Sequence, residues 1–155
     1  MQTELEIRTA QQSDIQPLLE LYHQLNPQDR ALAPQDACRI WQQFTRYPGS
    51  AIFIGLKQKA LVSTCALVVI PNLTRGGAPY ALIENVVTDA QHRNRGYGQA
   101  ILRAAVAAAG QCGCYKVMLL TGSKNPATLS FYQRAGFEQS KTGFQIRLPI
   151  REARD

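Results

Sequence analysis

The order of elements across residues 80–120 leaves this chain the least topological freedom. Tyr80–Thr88 reads as a strand and Gly98–Gly110 as an alanine-rich helix whose inner face is Ile101, Leu102, Ala105, Val106 and Ala109. Tyr115–Leu120 reads as the next strand. A strand, a crossover helix and a second strand in one sheet form a parallel pair with a right-handed connection. Everything else must be arranged around that βαβ unit.

Upstream, Leu5–Arg8 alternates apolar and polar residues as a short strand does. Ser13-Asp14 signals the cap of a helix reaching about Leu25, with Ile15, Leu18, Leu19, Tyr22 and Leu25 on one stripe. Asn26–Pro34 reads as a loop. A second helix carries Ala37, Ile40, Trp41 and Phe44 on one face and ends at Pro48-Gly49. Ala51–Leu56 and the nearly continuous apolar run Leu61–Ile70 read as strands, and Pro71–Pro79 as a hairpin connection. Downstream, Asn125-Pro126 starts a helix to Ala135, which Gly136 closes. Phe137–Glu138 and Gly143–Leu148 are expected to supply the last strands. The expectation is one α/β domain over residues 1–155: a mixed, mostly antiparallel sheet with a central parallel βαβ unit and helices on both faces.

Between the two halves of that unit lies the stretch Val86-Val87-Thr88-Asp89-Ala90-Gln91-His92-Arg93-Asn94-Arg95-Gly96-Tyr97-Gly98. A strand runs into a basic, glycine-containing turn that opens a helix. Consecutive N–H groups and the helix dipole make such a junction an anion site. Arg93 and Arg95 add full charges, and Gly96 and Gly98 are expected to let a phosphate approach the backbone. The physics suggests a ligand carrying a pyrophosphate. A dinucleotide fingerprint would need a small residue where Ile101 stands, and Gly122-Ser123-Lys124 has the wrong order for a Walker loop. The plain alternative is a charged turn before a surface helix.

Composition narrows the classes. Apolar residues are 45% of the chain and charged residues 18%, an ordinary globular balance. Seventeen basic against eleven acidic residues give a net charge of +6, which suits a polyanionic partner without choosing one. Nucleic acid fits badly, because the basic stretches lack interleaved aromatics and a recognition motif. No apolar run reaches the length of a membrane helix. Met1–Glu6 lacks the features of a signal peptide, so a cytoplasmic location is expected. Cys38, Cys65, Cys112 and Cys114 are expected as reduced thiols in or near the core, and Cys112-Gly113-Cys114 is not zinc-knuckle spacing. No metal is expected.

Arg93-Asn94-Arg95-Gly96-Tyr97-Gly98 resembles the R/Q-x-x-G-x-G/A signature of the GNAT superfamily, the GCN5-related N-acetyltransferases. Asn125, Phe131-Tyr132 and Gly136-Phe137 are similar to that family's second motif, and the element order agrees along the chain. Ile83-Glu84-Asn85-Val86-Val87 and Gly113-Cys114-Tyr115-Lys116-Val117 are similar to small-amine members, notably glucosamine-phosphate and aminoalkylphosphonate acetyltransferases. Glucosamine-phosphate enzymes usually carry Glu-Asp where this chain has Glu84-Asn85.

The resemblance implies acetyl-coenzyme A as co-substrate and a small-molecule primary amine as acceptor. It implies a sheet splayed between Tyr80–Thr88 and Tyr115–Leu120, with pantetheine along Val86, Val87 and Thr88. Pyrophosphate would lie on Arg93, Asn94, Arg95, Gly96, Tyr97 and Gly98, and Asn125 would touch pantetheine or serve as a helix cap alone. An alkylamine is mostly protonated at neutral pH, so a base is needed, and Glu84 is the candidate. Backbone N–H groups near Val86 or Val87 can stabilise the oxyanion. Tyr132 stands where the family has its general acid for the leaving thiolate. The competing readings are a solvated or ion-paired Glu84 and a core Tyr132. His92 is expected to be solvated, and Arg75 to meet an acidic group on the acceptor or to be solvated. Alternative functions are acetylation of a protein N-terminus, a lysine or an aminoacyl-tRNA, and a non-catalytic coenzyme A-binding module. Related enzymes are often dimers, which leaves a homodimer open.

Overall fold

The computed structural model describes residues 5–150. Two arginines counted in the basic balance, Arg151 and Arg154, lie outside that range, as do Met1–Glu4 of the leader argument and the ends of the 1–155 domain. Five strands and four helices follow in the order β1 (Glu6–Thr9), α1 (Ile15–Leu25), α2 (Pro34–Phe44), β2 (Ala51–Lys57), β3 (Ala60–Ile70), β4 (Tyr80–Thr88), α3 (Tyr97–Gln111), β5 (Val117–Met118) and α4 (Pro126–Arg134). The sheet order is β1-β2-β3-β4-β5. The first four strands pair antiparallel, and β4 and β5 pair parallel across α3. The mixed sheet with its parallel βαβ unit is as the sequence predicts.

Period-two alternation in β3 sends its residues to opposite faces. Cys65 and Leu67, with Ala81 and Ile83 of β4, pack under Ile101, Leu102, Ala105 and Ala109 of α3. Val62, Thr64 and Ala66 point the other way, where α1 brings Leu18 and Leu21. Each large aliphatic chain sealed in this way contributes about 1.5–3 kcal/mol. Val106, expected on the inner face, is 38% exposed, because the apolar stripe of α3 is narrow and Val106 lies one step past it. In α1, Leu21 is buried and Leu25 exposed, so the stripe is rotated from the predicted one.

Three further expectations are corrected. Asp14 stands at the N-cap position of α1 without capping it. Its carboxylate instead receives both Arg8 guanidinium nitrogens at 2.7 and 2.9 Å and the Gln11 N–H at 2.7 Å. The Arg8 hydrogen bond holds the Asp14 carboxyl below the usual carboxylate range, against the opposing effect of burial. The strand Tyr115–Leu120 shrinks to Val117–Met118, since the chain leaves β4 after Met118. Phe137–Glu138 and Gly143–Leu148 form no strand at all. Among the cysteines, Cys65 is in the core, where burial pushes its thiol up to about 12, whereas Cys112 is exposed.

Candidate active site at the split of the sheet

The β4–β5 register contains two pairs, Ala81 with Val117 and Leu82 with Met118. β4 then continues to Thr88 with β3 on one side and, among the described residues, no strand on the other. Along residues 83–88 that side of β4 therefore has no partner strand, and apart from Thr88 O, which accepts from Arg93 Nε, it is open to an extended ligand. An extended chain with amide groups of its own could pair there.

A β-bulge sits inside this stretch. Thr64 faces Val87 and Ala66 faces Glu84, so Asn85 and Val86 together oppose Cys65. Asn85 takes φ +53°, in the left-handed region where asparagine is among the few tolerated side chains. The extra residue re-aims the strand, which is what bulges do beside active sites. It leaves Glu84 and Asn85 exposed and returns Val87 to the core. Nothing in the sequence marks this bulge except an asparagine interrupting an apolar run.

Beyond Thr88, the turn is braced before the helix begins. Asp89 accepts from Gln24 Nε2 at 2.7 Å and from Gln91 N–H at 3.0 Å, and Gln24 Oε1 accepts the Ala90 N–H at 3.0 Å. His92 Nδ1 lies 2.7 Å from Asp89 Oδ1, and its ring stacks on Tyr97 at 6.5 Å. The Gln24 and His92 bonds hold the Asp89 carboxyl below its ordinary range. His92 is therefore part of the scaffold, rather than the solvated side chain expected. Arg93 Nε donates to Thr88 O at 3.3 Å, folding that exposed side chain back over the end of β4.

Gly96 caps α3 at φ +80° with no side-chain bond to the helix. The N–H of Ala100 already bonds Gly96 O, so the N–H groups of Tyr97, Gly98 and Gln99 are the orphans of the first turn. Asn94 and Arg95 precede them on an exposed turn. Gly98 needs a correction. A Cβ there would stand 3.0 Å from Phe131 Cζ and 3.2 Å from Thr88 Oγ1. The missing side chain makes room for α4, not for a phosphate, and Gly98 can offer an anion only its N–H.

On α4, Asn125 caps the helix by accepting the Ala127 N–H at 3.0 Å, as the sequence predicts. Phe131 and Tyr132 meet edge to face at 4.9 Å, and Tyr132 meets Phe137 at 6.4 Å. Tyr132 is half-buried against the α3 core. Burial raises its hydroxyl pKa above the usual value, and the nearby Cys65 and Glu84 push it further the same way. The fold thus brings Tyr132 within electrostatic reach of Glu84, 48 positions earlier in sequence. Arg75 is not brought there. It lies over the Tyr115 ring at 5.6 Å, at the paired end of β4 and β5, with Lys116 near the same ring.

One residue of this region was read from the sequence as stripe packing alone. Tyr22 of α1 is half-buried, and its hydroxyl oxygen, itself enclosed, has no hydrogen-bond partner among the described residues. Thr64 Oγ1, close enough to influence it, donates to Phe53 O at 2.7 Å. Burial pushes the Tyr22 hydroxyl up to about 12, so it stays a neutral donor. A lone hydroxyl-bearing residue on an aliphatic stripe was the available signal. A shallow depression lined by Gln43, Arg46 and Tyr47 includes none of these groups.

Residues 16–137 match the family described as the Acetyltransferase (GNAT) family. A glucosamine 6-phosphate N-acetyltransferase of Trypanosoma brucei brucei is 30% identical over 149 residues, covering 95% of this chain and 97% of that one. A solved chain from Agrobacterium tumefaciens str. C58, assigned as an acetyltransferase, is 47% identical with a TM-score of 0.88, covering 92% of this chain and 99% of its own. An aminoglycoside N-acetyltransferase solved in complex with CoA shares the fold at 17% identity and a TM-score of 0.78, over 95% of this chain and 96% of that one.

Proposed function

The chain belongs to the GNAT family of acetyl-coenzyme A-dependent N-acetyltransferases, and we propose that it acetylates the primary amine of a small molecule by direct attack. The observation that carries this reading is the unpaired edge of β4 over residues 83–88, which runs directly into the open first turn of α3. An amide-bearing arm fits the first, and a pyrophosphate fits the second. The coenzyme supplies the activated acetyl thioester.

In this reading Val86, Val87 and Thr88 align the pantetheine arm through their backbone. Arg93, Asn94, Arg95, Gly96, Tyr97 and Gly98 hold the pyrophosphate, the arginines by charge and the rest by N–H groups. Asn125 is assigned the cap alone, since its Oδ1 is committed to Ala127. Glu84, exposed on the open strand, takes the proton of the incoming ammonium, directly or through water. The bulge at Asn85–Val86 turns backbone N–H toward the charge developing on the acetyl oxygen. Tyr132, protonated throughout the neutral range, donates to the departing sulfur.

Similarity to a glucosamine 6-phosphate N-acetyltransferase over 95% of the chain supports an amino-sugar phosphate as acceptor. Asn85 takes the left-handed position of the bulge as aspartate would, but it brings no charge. A phosphorylated amino sugar is therefore the first acceptor to try, with one carboxylate rather than two beside its ammonium. The unpaired thiols support a reducing, cytoplasmic setting. The test is thiol release from acetyl-coenzyme A across amino sugars, their phosphates, plain alkylamines, N-terminal peptides and aminoacyl-tRNA. Turnover on small amines is expected, with donor affinity falling as salt rises. Donor binding without turnover on any amine would replace the enzyme reading with a coenzyme-binding module.

A further inference from the structure

A carboxylate is out of place at the entrance of an anion site, where its charge opposes that of the ligand. Asp89 nevertheless stands there, between the end of β4 and the turn Arg93–Gly98. The Gln24 and His92 bonds keep its carboxyl below the ordinary range, so it is ionised at neutral pH. Oδ2 accepts from Gln24 Nε2 at 2.7 Å, and Oδ1 accepts from the Gln91 N–H at 3.0 Å. His92 Nδ1, 2.7 Å from Oδ1, donates as well, since an ionised carboxylate only accepts. The Asp89 N–H is tied to Val62 O of β3 at 2.8 Å. Among the described residues, Gln24 is the only donor to this carboxylate from outside the turn, reaching across 65 positions from the last turn of α1. Its amide is used at both ends, because Oε1 accepts the Ala90 N–H at 3.0 Å while Nε2 donates to Asp89.

We propose that Gln24 is a positioning residue for the coenzyme, acting through Asp89 on the turn that takes the pyrophosphate. The inference rests on the reading of that turn as the pyrophosphate site. Two effects pass through Asp89. The first is charge. Asp89 is the only acidic residue between Thr88 and Gly98, and Gln24 draws its Oδ2 toward α1. Without that donor, Oδ2 competes for Arg93 and Arg95, the cations that the pyrophosphate needs. The second is geometry. Asp89 Oδ1 holds His92, and the His92 ring stacks on Tyr97, the first residue of α3. Slack at Gln24 thus reaches the helical turn in which the N–H groups of Tyr97, Gly98 and Gln99 are orphaned. Helix α1, which contributes no atom to the proposed coenzyme contacts, thereby sets the quality of the phosphate site.

Calorimetry on the full chain tests this with coenzyme A and with pantetheine, which has the arm without the pyrophosphate and is measured by displacement of coenzyme A. The wild type should bind coenzyme A at least about 100-fold more tightly than pantetheine. Gln24→Leu removes both bonds and should weaken coenzyme A binding about 10-fold while leaving pantetheine within about twofold. Gln24→Glu keeps the length and the bond to Ala90 but sets a second carboxylate against Asp89, so its loss should be at least as large. Gln24 is exposed, so both variants should fold. Coenzyme A affinity within about twofold of wild type in either folded variant overturns the proposal. Equal weakening of both ligands also overturns it, because Gln24 would then support the fold at large. A wild type that binds pantetheine as tightly as coenzyme A overturns the phosphate reading of the turn itself, and this proposal with it.

Discussion

Replacing Tyr132 by Phe separates packing from chemistry at this residue. Its ring contacts with Phe131 at 4.9 Å and Phe137 at 6.4 Å survive the change. Among the described residues its hydroxyl has no hydrogen-bond partner, so removing that oxygen breaks none. Stability should therefore shift by less than about 0.5 kcal/mol, or about 1–2 °C in Tm for a chain of this size. The rate argument runs differently. A thiol titrates near 8.5, and the Tyr132 hydroxyl stands above its usual value of 10.0, raised by burial and then by Cys65 and Glu84. Full proton transfer from tyrosine to a free thiolate is uphill, so the useful interaction is a hydrogen bond to sulfur as charge builds in the transition state. The expected loss is about 10–100-fold in kcat, or about 1.4–2.7 kcal/mol, with donor binding unchanged. Thiol release at saturating acceptor and thermal melting on one preparation measure both quantities. Turnover within twofold of wild type, with or without a lower Tm, would remove Tyr132 from the chemistry and leave it as packing.

Glu84→Gln should lower kcat/KM by about 10²–10⁴-fold at neutral pH, with the deficit shrinking as rising pH supplies free amine; a flat ratio across pH would count against the base assignment. Gly98→Ala should destabilise the fold by about 1–2 kcal/mol net of its helix-propensity gain, because its Cβ meets Phe131 and Thr88; unchanged melting would return Gly98 to the phosphate role. Asp14→Asn should cost about 1–3 kcal/mol at pH 7 by weakening its charge-assisted bonds to Arg8 and Gln11. The folded-state pKa of Asp14 is depressed, so its contribution is present above the unfolded carboxyl value and lost as pH falls through the folded one. The gap between wild type and Asp14→Asn in denaturant titrations should accordingly close only in that acidic window.

What the sequence alone settled was local or forced by topology. The turn Arg93–Gly98 is contiguous, so its charges, its glycines and the helix it opens are all visible within six residues. The Asn125 cap depends on its own next turn. The parallel β4–α3–β5 unit follows from element order and the handedness of crossovers. What the tertiary structure decided involves distance in sequence or competition for space. β5 parts from β4 after Met118, and no residue in the predicted strand Tyr115–Leu120 announces that it stops there. The bulge at Asn85 exists only as a mismatch of register with β3. Gly98 looked like a phosphate glycine until Phe131, 33 positions away, was found filling the space. The tail Phe144–Ile150 has the alternation of a strand and yet pairs with none among the described residues. Alternation specifies which face a strand must bury, but not which edge, or whose, it buries it against.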